Sequence, residues 1–302
     1  MFEGFSTTRI DTGSDNGSDN GGATINAVHG GSGPPVLLLH GFPQTHAMWH
    51  RVAPELARGH TVVAPDLRGY GDSSRPPEGD DHGGYSFRSM AADQVAVMRS
   101  LGHERFAVVG HDRGARVAHR MTLDHPEVVT RLAVLDIVPT LHVYEHVDKA
   151  LATAYYHWFF FIQPAPLPER LIDGDPIGYL HALLGGWGSG LSVFAPEALA
   201  EYERCFAEAD ARHAMLEDYR AGASIDLEHD RADVDRKVEV PTVVVWGENG
   251  VVGRRPENPL DVWRERASDV RGTAVDAGHF LVEERPTETL DLLAGFLAAA
   301  RE

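Results

Sequence analysis

Phe106-Ala-Val-Val-Gly-His-Asp112-Arg113-Gly114-Ala-Arg116 is the stretch on which the fold turns. Phe106 to Val109 is short and apolar, the composition of a fully buried strand. Gly110-His-Asp-Arg-Gly114 then sets an acidic residue between two glycines, with the spacing of the sharp strand-to-helix turn termed a nucleophile elbow. Glycine suits the flanks because the turn strains the backbone and brings strand and helix so close that side chains there would collide. Aspartate stands where serine is usual. Any strand–turn–helix connection can carry Gly and Asp, so the motif takes its weight from the rest of the chain.

On its N-terminal side, Val36-Leu-Leu-Leu-His40 reads as a buried strand, followed by Gly41-Phe42-Pro43 and a helix-like stretch from His46 to Leu56. Thr61-Val-Val-Ala-Pro-Asp66 is the next expected strand and enters a loop dense in turn residues that ends at Ser73. Phe87 to Leu101 has helical periodicity, and Arg113 to Asp124 is the expected helix behind Asp112. On the C-terminal side, Leu132-Ala-Val-Leu-Asp136, Thr242-Val-Val-Val-Trp246 and Thr273-Ala-Val275 complete the strands. Apolar strands alternating with helices imply an α/β class, with a mostly parallel central sheet flanked by helices. From Pro139 to about Asp235 the pattern changes to aromatics, prolines and helical runs, which reads as an inserted helical cap. The expected organisation is a first core part over 1–138, the cap over 139–235 and a second core part over 236–302. Asp11 to Gly22 repeats small polar residues and reads as a flexible hairpin loop between two edge strands; a calcium loop would need a terminal Glu that is missing.

With 302 residues the chain can bury a substantial core, and 43% hydrophobic with 24% charged residues is ordinary for a globular protein. A formal net charge of −18 argues against nucleic acid or an anionic membrane as partner. Lys149 and Lys237 are the only lysines, consistent with adaptation to high salt or with a compositional bias of the genome. Cys205 is the only cysteine, so no intrachain disulfide can form and a cysteine–metal site has no support. Neither a leader pattern nor a membrane-spanning run is present, and a cytoplasmic protein is expected.

Chains with such an elbow place nucleophile, acid and histidine in that order. His279, in Gly278-His279-Phe280 after the last strand, is chosen by this position among 17 histidines. Two acids compete for the middle role: Asp136 at the end of one strand and Glu248 in Trp246-Gly-Glu-Asn after the next. A carboxylate nucleophile is ionised at neutral pH without help, which suits attack on a saturated carbon and formation of an alkyl ester on Asp112. His279 would then activate water against that ester, with the oxyanion held by the backbone N–H groups of Phe42 and Arg113.

Together these motifs resemble the α/β-hydrolase superfamily, specifically its aspartate-nucleophile branch of haloalkane dehalogenases, epoxide hydrolases and haloacetate dehalogenases, and within it most closely the fluoroacetate dehalogenases. The likeness runs from about Pro34 onward through His40-Gly-Phe-Pro-Gln-Thr-His46, Gly110-His-Asp-Arg-Gly-Ala-Arg116, Leu135-Asp-Ile137, Tyr156-His-Trp158, Glu217-Asp-Tyr-Arg-Ala-Gly222 and Gly278-His-Phe280. Arg113 and Arg116, three apart at the helix start, can share a face beside Asp112, where two guanidinium forks could grip a small carboxylate. Epoxide hydrolases and haloalkane dehalogenases typically carry tryptophan at the position of Arg113. The resemblance implies that His157, Trp158 and Tyr219 donate hydrogen bonds to the departing halide, that Trp187 lines the pocket, and that Asp136 is the catalytic acid. It further implies an α/β-hydrolase fold, a homodimer, and hydrolysis of a haloacetate, fluoroacetate to glycolate and fluoride included, with no cofactor and no metal. The residues around Leu141 to Val147 diverge from the family pattern and bear on pocket size. The rival readings are an epoxide hydrolase, a dehalogenase restricted to chloro- and bromoacetate, and a non-catalytic small-molecule receptor.

Overall fold

The computed structural model describes residues 1–13 and 21–298. Eight strands form one sheet: β1 (Ser6–Asp11), β2 (Thr24–Gly31), β3 (Pro35–Leu39), β4 (Thr61–Pro65), β5 (Phe106–His111), β6 (Val129–Leu135), β7 (Thr242–Gly247) and β8 (Val270–Val275). Their order is β1-β2-β4-β3-β5-β6-β7-β8. β2 runs antiparallel to β1 and β4, and every other pairing is parallel. All six residues of β5 are buried, as a central strand covered on both faces requires. β8 instead alternates between partly covered and exposed positions up to its buried last residue, Val275, and only Thr273 to Val275 stood out as a strand in the sequence.

The chain leaves β3 toward β4 on one side and returns through β5 on the other. That reversal opens a crevice at the carboxyl ends of the strands, the place where open α/β sheets hold ligands. Register brings Leu39 opposite Gly110 and His111 opposite Leu135, so the turns after β3, β5 and β6 converge there.

Two helices, Phe87–Ser100 and Arg113–Asp124, pack on each other, and the second also covers β5 and β6. Ser86 caps the first by accepting the Ser89 N–H at 3.1 Å. The expected helix from His46 to Leu56 is broken in two, a 3₁₀ turn His46–Trp49 and a single turn Ala53–Leu56. Pro54 sits in the first turn of the second piece, where its missing N–H is tolerated, but it cannot continue a helix arriving from upstream. At the N-terminus only β1 is an edge, because β2 is paired on both sides. Residues 14–20 of the expected hairpin loop lie outside the described residues.

Between β6 and β7 the described elements are all helices joined by short loops, from Thr140–Glu145 to Ile225–Ala232, with no strand. Its apolar side chains merge with the sheet's core: Trp158, Phe161 and Tyr219 belong to the same buried cluster as Phe42. Among the described residues no helix is long and apolar enough to cross a membrane.

Candidate active site

Asp112 sits between β5 and its helix with φ 47° and ψ −116°, a conformation that L-residues rarely adopt. The packing explains the flanking glycines. A Cβ on Gly110 would come within 2.4 Å of the Gly114 carbonyl oxygen, and one on Gly114 within 2.3 Å of that of His40. At this turn the carboxylate reaches the loop that follows the neighbouring β3, where Asp112 Oδ2 accepts the Phe42 N–H at 3.0 Å. The Arg113 N–H opens the helix and has no intrahelical carbonyl to meet. Burial alone would raise the Asp112 pKa, but the charges of His279 and Arg116 outweigh it and hold the carboxyl below its ordinary value.

Asp136 follows β6, also at positive φ (53°). Its Oδ1 accepts the Gly247 N–H at 2.9 Å, and its Oδ2 lies 2.6 Å from His279 Nδ1. Glu248 is solvent-exposed, so of the two candidate acids Asp136 alone meets the histidine. The His279 N–H donates to the Trp187 carbonyl at 2.8 Å. His111, pushed down to about 3 by burial, is neutral, and its Nε2–H donates to the His279 carbonyl at 2.8 Å. Burial works against a charged His279, yet the hydrogen bond and charge of Asp136, with Asp112 beyond, leave its pKa raised.

The two arginines reach the site differently from the expectation of two open forks. Arg113 is buried and its Nε donates to Asp218 Oδ2 at 2.9 Å, while its Nη2 bonds both the carboxylate and the main-chain carbonyl of Asp218. Its guanidinium lies 4.3 Å from the Tyr219 ring centroid and 4.7 Å from that of Phe87. Arg116 uses Nη1 on the Val138 carbonyl and the Thr140 hydroxyl, both at 3.0 Å, and stacks 4.7 Å over the Trp158 ring. Arg113 thus has its Nε–Nη2 edge filled by Asp218, whereas Arg116 is held through Nη1 and its Nε meets no hydrogen-bond partner among the described residues. The anchors fix both positive charges beside Asp112.

A small cavity brings Asp112, His157, Trp158, Trp187, Tyr219 and His279 together. His157 stacks on Phe42, and its ring lies 4.3 Å from Trp187 and 5.8 Å from Tyr219. Burial pushes its imidazole down to about 3, so it is neutral, and its Nδ1 is buried without a protein partner. Burial first and the Asp112 charge second push the Tyr219 phenol well up, which keeps it an O–H donor. Among the described residues neither the Trp158 indole nor the Tyr219 hydroxyl bonds to the protein. Neutral donors around a carboxylate in a mostly apolar cavity are the arrangement that an anionic leaving group needs.

Tyr155 and Val251 complete the cavity wall, and sequence reasoning missed both. The Tyr155-Tyr156 doublet was a signal for the first; the helix restarts there, which turns Tyr155 onto the Trp158 face at 5.3 Å and leaves Tyr156 exposed. Among the described residues no group of three or more His, Cys, Asp or Glu is placed to hold a metal ion.

A family model described as the alpha/beta hydrolase fold matches residues 34–168. A fluoroacetate dehalogenase from Burkholderia sp is 49% identical over 302 residues, covering 100% of this chain and 96% of that protein. A soluble epoxide hydrolase from Corynebacterium sp. (strain C12) is 35% identical, covering 93% and 96%. The crystal structure of an alpha/beta hydrolase from Nostoc sp PCC 7120 superposes with a TM-score of 0.95 at 54% identity, covering 99% and 100%.

Proposed function

The chain belongs to the α/β-hydrolase family, and from that footing we propose that it hydrolyses the carbon–halogen bond of haloacetates, fluoroacetate to glycolate and fluoride among them. The observation that carries this reading is the Asp112 carboxylate, held at the elbow within the field of the anchored Arg116 and Arg113 charges. An anionic substrate is drawn to those cations, and Asp112 then faces the substrate's saturated carbon.

An Asp112 oxygen forms a bond to that carbon as the carbon–halogen bond breaks, and the halide takes the bonding electrons. His157, Trp158 and Tyr219 donate to the leaving halide, with Trp187 excluding water. The product is an ester of Asp112. His279, oriented by Asp136, takes a proton from water, and the hydroxide attacks the ester's carbonyl carbon. The Phe42 and Arg113 N–H groups hold the oxyanion, which collapses to expel glycolate, its leaving oxygen taking the proton from His279, and Asp112 is restored with one oxygen from water after its acid proton passes to solvent. In this division the core over 1–138 and 236–302 supplies nucleophile, acid and base, and the cap over 139–235 supplies the halide donors.

The epoxide-hydrolase reading is favoured by one observation: Tyr155 joins Tyr219 in the cavity, so two phenols are at hand. Two fixed cations beside the nucleophile suit an anion better than a neutral epoxide. A fluoride electrode with fluoroacetate, run beside chloride release from chloroacetate and turnover of an aryl epoxide, tests the choice. Halide release with no diol supports the proposal, and diol formation without halide release defeats it.

We further propose that the protein is cytoplasmic and forms a homodimer, the dimer supported by the exposed Tyr156, Leu167 and Leu171 on the inserted helices. Sedimentation at micromolar concentration checks the dimer; a monomer at every concentration refutes it.

A further inference from the structure

The loop that carries His279 is held by a single carboxylate from the turn of helix after it, Leu281–Glu284. Glu284 Oε2 accepts the Gly278 N–H at 2.9 Å, and Oε1 accepts the Phe280 N–H at 3.0 Å. These are the residues immediately before and after His279, whose own N–H goes to the Trp187 carbonyl. The third partner of Glu284 is the Ser189 hydroxyl, on Oε2. Trp187 and Ser189 lie in one segment of the inserted helices with Gly188 between them. That segment meets the histidine loop main chain to main chain: a Cβ on Gly278 would fall 2.5 Å from Gly188 Cα, and one on Gly188 would fall 2.6 Å from Glu284 Oε1. Glu284 is 8% exposed, and among the described residues no cation pairs with it. Its charge is met by two N–H groups and a hydroxyl, which are strong donors to a carboxylate.

We propose that Glu284 is a positioning residue that ties the His279 loop to the Trp187–Ser189 segment, so that the general base is in register when that segment walls the pocket. The inference rests on the dehalogenation reading above. Glu284 touches neither water nor substrate in that scheme; it acts on His279 through the backbone on both sides of it, and its charge adds to the forces that raise the imidazole's pKa.

The scheme gives it a kinetic signature. Asp112 is alkylated without His279, and the ester is hydrolysed with it, so a misplaced base slows the second step alone. Glu284→Gln keeps the shape but turns an NH₂ group toward a donor. With chloroacetate we expect kcat to fall about ten- to a hundredfold. KM should fall by the same factor, with kcat/KM kept within about twofold, because kcat/KM reports the alkylation step. The Asp112 ester should accumulate to near one per chain by intact mass spectrometry. Ser189→Ala, which removes one exposed hydroxyl, should move both readouts the same way by a smaller factor, and it carries the test should Glu284→Gln fail to fold. Equal loss of kcat and kcat/KM without ester accumulation would mean that Glu284 is merely structural and overturns the proposal. Wild-type rates in either variant overturn it too. Wild-type protein that releases no halide and forms no ester defeats the dehalogenation reading itself, independently of either variant.

Discussion

His279 Nδ1 and Asp136 Oδ2 lie 2.6 Å apart, joining the loop after β8 to the end of β6, while Glu248 points to solvent. Asp136→Asn should therefore slow ester hydrolysis by roughly 10³- to 10⁴-fold, the scale seen when a triad carboxylate is neutralised. Glu248→Gln should stay within about twofold, as surface changes usually do. Single-turnover decay of the Asp112 ester measures both; a larger loss in the Glu248 variant would reverse the assignment.

Arg113 and Asp218 form a buried ion pair, and the Tyr70 hydroxyl adds a third group to Asp218 at 2.7 Å. Removing one partner leaves the other charge buried without compensation. Asp218→Asn should cost about 3–5 kcal/mol of stability, read as a lower urea midpoint. A midpoint unchanged from wild type would show that Arg113 finds another partner.

Trp158 brings an indole N–H into the cavity and a ring face under Arg116. Phe at this position keeps a ring for Arg116 and loses the donor. Fluoride is small and strongly hydrated, so its departure depends most on fixed donors. Trp158→Phe should slow fluoride release by about 10²-fold and chloride release by at least tenfold less. Equal losses for the two halides would leave Trp158 a packing residue.

Glu283 is buried beside the Tyr202 hydroxyl, and burial pushes its pKa up to about 8. A raised acid holds its proton in the folded state over a range where the unfolded chain has lost it. Its contribution to stability is thus full below about 4.5 and is lost as pH rises toward 8. Thermal midpoints should decline across that interval in the wild type, and Glu283→Gln, neutral throughout, should flatten the decline. An unchanged slope in the variant would place the pH dependence elsewhere.

The elbow was legible because its signal is local: two glycines bracket one residue, and strand and helix patterns lie on either side. The order of nucleophile, acid and histidine located His279 for the same reason. The choice between Asp136 and Glu248 was not legible from order alone, since both follow sheet strands. What separates them is the positive φ at Asp136 and the Gly247 N–H that holds it, neither of which has a sequence signature. The engagement of Arg113 was hidden for another reason, because its partner lies 105 residues away. Pairing at that separation is decided by tertiary packing. Tyr155 was missed because adjacent tyrosines do not say which of them is turned inward; only the break between two helices decides which one faces the cavity.

The charge of Asp112 is one of the forces that raise the pKa of His279. Alkylation abolishes that charge, because an ester oxygen carries none. The imidazole's hold on its proton weakens at that moment, leaving Asp136 as the nearest carboxylate. The nucleophile thus tunes the base: alkylating Asp112 takes away one of the charges that raise the pKa of His279, which shifts the imidazole toward the neutral form that takes a proton from water. Sequence in time, as well as arrangement in space, is written into the pair of carboxylates that flank this histidine.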